Sequence, residues 1–257
     1  MQYSRFAALY DMFMDDVDYD KWTDYIVSCL QPLNRTARII ECGCGTGEIT
    51  VRLKKLGFDV VGGDISNDML NVASEKARLH GMRIPLMNLD MRAFQFDKRI
   101  EAIIAPCDCV NYLTSLDEVK AFFECSYVSL KPGGKLCFDV SSPYKLRSLL
   151  GGNTFSDSRK RAAYIWQNNY DDENNLIEMR LEFFTYAGLS KDRTPLYERF
   201  HETHIQRAHS EQEIRTLLEN TGFRLIGVYS DFSMDAPCDT TERLQFIAEK
   251  PEKQSMY

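Results

Sequence analysis

Glycine and proline are scarce, 14 and 8 among 257 residues, and no repeat or low-complexity tract occurs, which excludes fibrous and disordered chains. Long apolar runs are missing as well. Stretches such as Ile100 to Cys107 fall far short of the ~20 residues a membrane span needs. The opening Met1-Gln2-Tyr3-Ser4-Arg5 has no signal-peptide character, so the protein is expected in the cytoplasm, with no membrane partner. Positive charge is in deficit: 31 Lys plus Arg against 38 Asp plus Glu leave a formal charge of -7, which repels a phosphate backbone and disfavours nucleic acid. Zinc-type spacing is absent too. Cys42-x-Cys44 and Cys107-x-Cys109 are set closer than the usual metal-binding pairs, so they read as small buried residues, with a metal pair the lesser alternative; no metal is expected and the eight cysteines should stay reduced. What remains, 44% apolar residues over this length, suits one large domain or a domain with an insertion.

Periodicity divides the chain. Asp18 can cap a helix in which Trp22, Tyr25, Ile26, Cys29 and Leu30 recur at three-to-four spacing, ending near Pro32. Strands and helices then alternate. Strands are expected at Ala37 to Glu41, Phe58 to Gly62, Arg83 to Leu89, Ile100 to Ala105 and Lys135 to Val140, and helices at Glu48 to Leu56, Ser66 to His80 and Leu116 to Leu130. Such βαβ units predict a Rossmann-like, mostly parallel sheet with helices on both faces. After Pro143 the rhythm changes. Ala162 to Asn169, Leu176 to Tyr186 and Tyr197 to Gln206 read as three strands joined by polar turns, hence an antiparallel insertion. Ser210-Glu211-Gln212-Glu213 is a capping-box pattern that opens a helix ended by Gly222, and Phe223 to Tyr229 with Arg243 to Glu249 should close the sheet as an antiparallel pair. The expected organisation is a core over 1–143 and 207–257, with 1–33 as a helical cap, and a β-rich insertion over 144–206.

The richest segment is Ile39-Ile40-Glu41-Cys42-Gly43-Cys44-Gly45-Thr46-Gly47. A strand delivers an acid at its carboxyl end, followed by glycines at alternate positions, which lets the backbone pass close beneath a ligand. A dinucleotide site would place a third glycine where Glu48 stands. An acid at that positive helix end disfavours a pyrophosphate. The pattern resembles the class I S-adenosylmethionine-dependent methyltransferases, in particular their small-molecule and uncharacterised bacterial members. Asp64, closing Val60-Val61-Gly62-Gly63-Asp64, matches the acid that accepts from both ribose hydroxyls, and Asp90, in Asn88-Leu89-Asp90-Met91, matches the acceptor for the adenine amino group. Lys131-Pro132-Gly133-Gly134-Lys135 resembles the family's turn before its fifth strand.

The resemblance implies S-adenosyl-L-methionine as cofactor, with S-adenosyl-L-homocysteine as product. The implied contacts are Glu41, Gly43, Gly45, Asp64, Ile65, Met69, Asp90, Met91 and a backbone carbonyl near Cys107, together with Tyr3, Tyr10 and Trp22 from the N-terminus. A sulfonium is attracted to aromatic faces, although Trp22 could equally be helix packing. Asp108 and Tyr112 after the fourth strand, and Tyr144 after the fifth, are the candidate catalytic residues, and Asn111 could orient an acceptor or begin the next helix. The Asn-Pro-Pro-Tyr motif of base and amide methylation is absent there.

Residues 144–215 hold 11 Lys plus Arg and 11 Asp plus Glu, so the insertion carries no basic platform; it is read as an acceptor-binding lid. In His201-Glu202-Thr203-His204 the histidines fall on opposite faces of a strand, which argues against a shared metal but leaves one of them as a potential general base. The activity expected is in-line methyl transfer to nitrogen or oxygen of a small-molecule acceptor by a monomer or homodimer. The alternatives are a tRNA or protein methyltransferase, and a regulatory protein that binds the cofactor without turnover; a nicotinamide-dependent oxidoreductase is disfavoured by Glu48.

Overall fold

A computed structural model describes residues 6–97 and 100–252. Two short N-terminal helices, α1 (Ala7–Phe13) and α2 (Tyr19–Cys29), precede the sheet. Their separation follows from Asp18, whose carboxylate accepts from the Lys21 N–H at 2.8 Å and starts a new helix there. Next come β1 (Arg38–Cys42), α3 (Glu48–Lys55), β2 (Asp59–Asp64), α4 (Asn67–Leu79), β3 (Leu86–Asn88), β4 (Ile100–Ala105), α5 (Leu116–Ser129) and β5 (Leu130–Ser141). A second group follows, β6 (Thr154–Ser158), β7 (Ala162–Asp171), β8 (Leu176–Leu189) and β9 (Pro195–Arg207). The chain ends with α6 (Glu211–Thr221), β10 (Arg224–Ser230) and β11 (Arg243–Glu249).

The large sheet has the order β10-β11-β5-β4-β1-β2-β3. Pairings from β3 to β5 are parallel, and β11 runs antiparallel to both of its neighbours. The expected mostly parallel sheet is therefore present, with β11 as the reversed strand. Ile39, Ile103, Ile104 and Val60 are wholly buried beneath the covering helices. On one face Phe122 and Phe123 of α5 meet Phe138, which stacks on Phe246 with ring centroids 5.0 Å apart. Among the described residues no helix is long and apolar enough to cross a membrane.

The second sheet, β6-β7-β8-β9, is antiparallel throughout. Its first strand escaped the sequence reading, because Thr154-Phe155-Ser156-Asp157-Ser158 is polar and exposed; it exists by pairing with β7. The third core strand is shorter than expected. Pro85 has no N–H for the ladder and contributes only its carbonyl, which accepts from Gly62 at 3.0 Å. The expected capping box forms at Ser210/Glu213, and a second one, at Ser115/Glu118, opens α5. Helix α1 joins the two sheets: Phe6 stacks on Phe183 of β8 at 4.7 Å, and Asp11 reaches toward α3 and α4.

Candidate functional site

At the carboxyl edge of the parallel strands the chain turns sharply after β1. Gly43 and Gly45 have φ of +70° and +51°. A Cβ on Gly43 would stand 2.8 Å from Cys109 Cβ, whereas one on Gly45 would meet nothing within 4 Å and would fill the open cradle instead. Asp64, at the end of β2, ties this turn to the next: its carboxylate accepts from the N–H of Gly45 and of Ser66, each at 2.8 Å. Burial raises its pKa, and those backbone donors act against the rise.

A cavity of about 280 Å³ opens above these turns. Tyr10, Gly43, Gly45, Asp64, Ile65, Met69, Asp90, Met91, Cys107 and Tyr112 line it, so one recess gathers residues predicted from five separate segments. Ile65 is 61% exposed, an apolar side chain left at the mouth of the cavity. Asp90 carries an unforeseen partner. Arg92 grips its carboxylate through Nε at 2.9 Å and a terminal nitrogen at 2.7 Å and also reaches Glu118 at 2.6 Å. The Arg92 hydrogen bonds hold Asp90 below the usual carboxylate range.

A smaller recess of about 40 Å³ adjoins it, bounded by Tyr10, Tyr19, Glu41, Glu48 and Cys107. Tyr10 lines both spaces and so stands at their junction. It is held there by α1: Thr46 Oγ1 donates to Asp11 at 2.6 Å, and Lys76 pairs with Asp11 at 2.7 Å and with Glu48. Glu41 is buried and accepts from the Thr50 hydroxyl at 2.5 Å; burial pushes its pKa up to about 8. Burial also opposes ionisation of Glu48, but Lys76 and Arg52 outweigh it and its pKa falls.

The loop after β4 is braced from below. Cys107 and Asp108 both have positive φ, 60° and 50°. The Asp108 N–H donates to Asp139 Oδ2 at 2.9 Å, and Arg243 bridges the carboxylates of Asp108, at 3.1 Å, and Asp139. Gln206 of β9 donates to the other Asp108 oxygen at 3.1 Å. Burial raises Asp139 to about 6 against the pull of Arg243. Cys107 and Cys109 are pushed well up by burial, which keeps them as thiols rather than nucleophilic thiolates.

Several expectations change here. Asp108 does not line the cavity; its carboxylate is committed to Arg243 and Gln206, which leaves it poorly placed as a base. Asn111 is wholly buried: its amide donates to the carbonyls of Ser141 and Arg207 at 3.1 and 2.8 Å, and its oxygen accepts from the Ser141 N–H at 2.9 Å. It staples the end of β9 to β5 rather than facing a ligand. Trp22 is buried in helix packing, edge-on to Phe232 at 4.5 Å and beneath the Arg243 guanidinium, and it reaches neither recess. Tyr144 lines neither recess; it stands at the start of the turn Lys145–Leu150. Tyr3 lies outside the described residues.

Arg243, Asp139, Arg92 and His209 were not anticipated. Topology supplies a signal for two of them: an antiparallel strand starts at the edge where parallel strands end, so Arg243 lies opposite Ser141 and close to Asp139. His209 bridges Arg207 and the Leu113 carbonyl at 2.8 and 2.9 Å. Burial, then Arg207, lowers its pKa to about 4.

Comparison with known proteins points one way. A family model described as "Methyltransferase domain" matches residues 39–134. The chain is 36% identical over 251 residues to the "Putative methyltransferase YqeM" of Bacillus subtilis, covering 97% of this chain and 98% of that one. An S-adenosylmethionine-dependent methyltransferase from Clostridium acetobutylicum superposes with a TM-score of 0.83 at 29% identity, over 97% and 99% of the two chains. The S-adenosylmethionine-bound amino pentose methyltransferase CalS10 from Micromonospora echinaspora shares the fold, with a TM-score of 0.67 at 21% identity over 91% and 90%.

Proposed function

This chain belongs to the class I S-adenosylmethionine-dependent methyltransferases, and from that premise we propose that it methylates a nitrogen or oxygen of a small-molecule acceptor held beneath the second sheet. The enzyme class and its cofactor follow from the family; the acceptor class and the residue roles are the proposal. The cradle fits the cofactor. Gly45 leaves space where a Cβ would intrude, Asp64 and Asp90 offer carboxylates to hydroxyl and amino groups, and exposed Ile65 offers an apolar face to a flat ring. The smaller recess near Tyr10, Tyr19 and Glu41 suits the methionine end, with Tyr10 at the junction where a sulfonium would lie.

When bound, S-adenosylmethionine supplies a methyl group already activated by its positive sulfur. The protein's own task is alignment and exclusion of water. Tyr10 closes the cavity on the α1 side, Tyr112 forms its wall toward β9, and the Asp108–Arg243–Asp139 network fixes the loop between them. What supports a small acceptor is the covered wall at Tyr112. A macromolecule would need an open, accessible face, whereas the wall at Tyr112 is backed directly by the buried side of β9. In this reading, residues 144–206 serve as the lid that selects the acceptor.

The test is to supply methyl-tritiated S-adenosylmethionine to the enzyme with a size-fractionated cell extract. Label in the low-molecular-weight fraction is expected. Label confined to RNA or protein would refute the small-molecule reading.

A further inference from the structure

Strand β9 turns an unusual face inward. Glu202, His204 and Gln206 alternate along it, and all three are buried, at 8%, 3% and 4% exposure. Their neighbours on β8 are apolar: Leu181 lies opposite Glu202 and Met179 opposite His204. Burying a carboxylate and an imidazole in such surroundings is costly unless they are paired, so their placement calls for a reason. Gln206 has one, since it holds Asp108. The other two form a line that runs to the cavity: Tyr112 Oη lies 3.5 Å from His204 Nδ1, and His204 Nε2 lies 3.5 Å from Glu202 Oε2. The other Glu202 oxygen accepts from the Phe6 N–H at 3.3 Å, which anchors the carboxylate to the start of α1.

We propose that Tyr112, His204 and Glu202 are a proton relay for methylation of a hydroxyl-bearing acceptor. The inference rests on the small-molecule reading above and narrows it. Glu202 facing Nε2 favours the neutral tautomer with its proton on that nitrogen, which leaves the Nδ1 lone pair for the Tyr112 hydroxyl. As the new oxygen–carbon bond forms, the carbon–sulfur pair stays with sulfur and the acceptor's O–H bond breaks. That proton passes to Tyr112 Oη while the Tyr112 proton passes to His204 Nδ1, and the imidazolium is balanced by the Glu202 carboxylate until solvent takes the proton. Amines do not require this. A neutral amine attacks with its lone pair and can lose its proton afterwards, whereas a hydroxyl gains most from losing its proton as the bond forms. Both contacts stand at 3.5 Å, and the relay requires each to tighten as the acceptor's proton is transferred. Tyr112 touches the reaction space and is the catalytic residue; His204 and Glu202 act through it.

Two readouts test the relay in the full-length protein. In 15N-labelled protein at pH 8 with S-adenosylhomocysteine, His204, assigned by loss of its signals in His204→Gln, should carry its proton on Nε2. Tyr112→Phe should shift the Nδ1 resonance, and Glu202→Leu should turn the single tautomer into a mixture. A proton on Nδ1, or signals indifferent to both substitutions, overturns the relay without touching the cofactor site. The second readout is chemical: with 13C-methyl S-adenosylmethionine and the small-molecule fraction, the labelled product should show an O-methyl carbon resonance. An N-methyl resonance refutes the hydroxyl acceptor while leaving small-molecule methylation intact. Label found only in macromolecules refutes the reading on which the inference stands.

Discussion

Replacing Asn111 by Ala tests its role as a staple against that of orienting an acceptor. If the side chain orients an acceptor, Asn111→Ala should slow turnover and leave the fold unchanged. The structure instead gives it three hydrogen bonds in a wholly buried place, two donated to the Ser141 and Arg207 carbonyls and one accepted from the Ser141 N–H. Truncation removes all three and deprives the buried backbone groups of Ser141, and the part-buried carbonyl of Arg207, of these partners. At about 1 kcal/mol per net bond, plus the penalty for leaving buried partners unsatisfied, the loss should be about 3–5 kcal/mol. For a chain of this size that lowers the melting temperature by about 10 °C. Urea unfolding with a shared m value is the assay. Asn111→Asp should cost as much, because a carboxylate would face two carbonyl oxygens. A loss below about 1 kcal/mol for Asn111→Ala would refute the staple and the hydrogen-bond argument behind it.

Other outcomes follow from the same geometry. Trp22→Phe should leave S-adenosylhomocysteine affinity within about twofold by calorimetry, since Trp22 reaches neither recess, while Ile65→Ala should weaken it about fivefold through roughly 1 kcal/mol of lost apolar contact. A weakened Trp22→Phe would mean that α2 closes over the ligand. Gly43→Ala should weaken binding as well, because a left-handed alanine costs about 1–2 kcal/mol and its methyl would press on Cys109; unchanged affinity would contradict it. Glu41 sets a pH dependence. Its folded pKa of about 8 lies above the unfolded value near 4.5, so the folded chain binds the extra proton and stability falls as pH rises between those values, then levels off. Glu41→Gln should flatten that slope and be the more stable protein at pH 8, and a parallel profile would contradict the burial argument. His209 acts in the opposite direction: with a folded pKa near 4, it should cost stability as pH falls from about 6.5 to 4, a slope that His209→Gln should reduce.

Layering, the alternation of strands and helices, the antiparallel insertion and the placement of residues from Glu41 to Cys107 at the carboxyl edge were legible in the amino-acid pattern. Those features are written locally, in periodicity, capping residues and the turn chemistry of Gly43 and Gly45, so a linear reading reaches them. The partners of those residues are not local. Nothing near Asp90 in the strand pattern announced that Arg92 would fold back onto it, and Asp108 is bound by Arg243, 135 residues away. Trp22 and Asn111 were ambiguous for the same reason: a periodic aromatic and a loop amide fit either a ligand or a neighbour, and only packing decides. The tertiary structure alone brought β9 against the loop after β4. That crossing gave Asn111, Gln206 and His204 their contacts, because hydrogen-bond partners and burial depend on which surfaces meet rather than on which residues are adjacent.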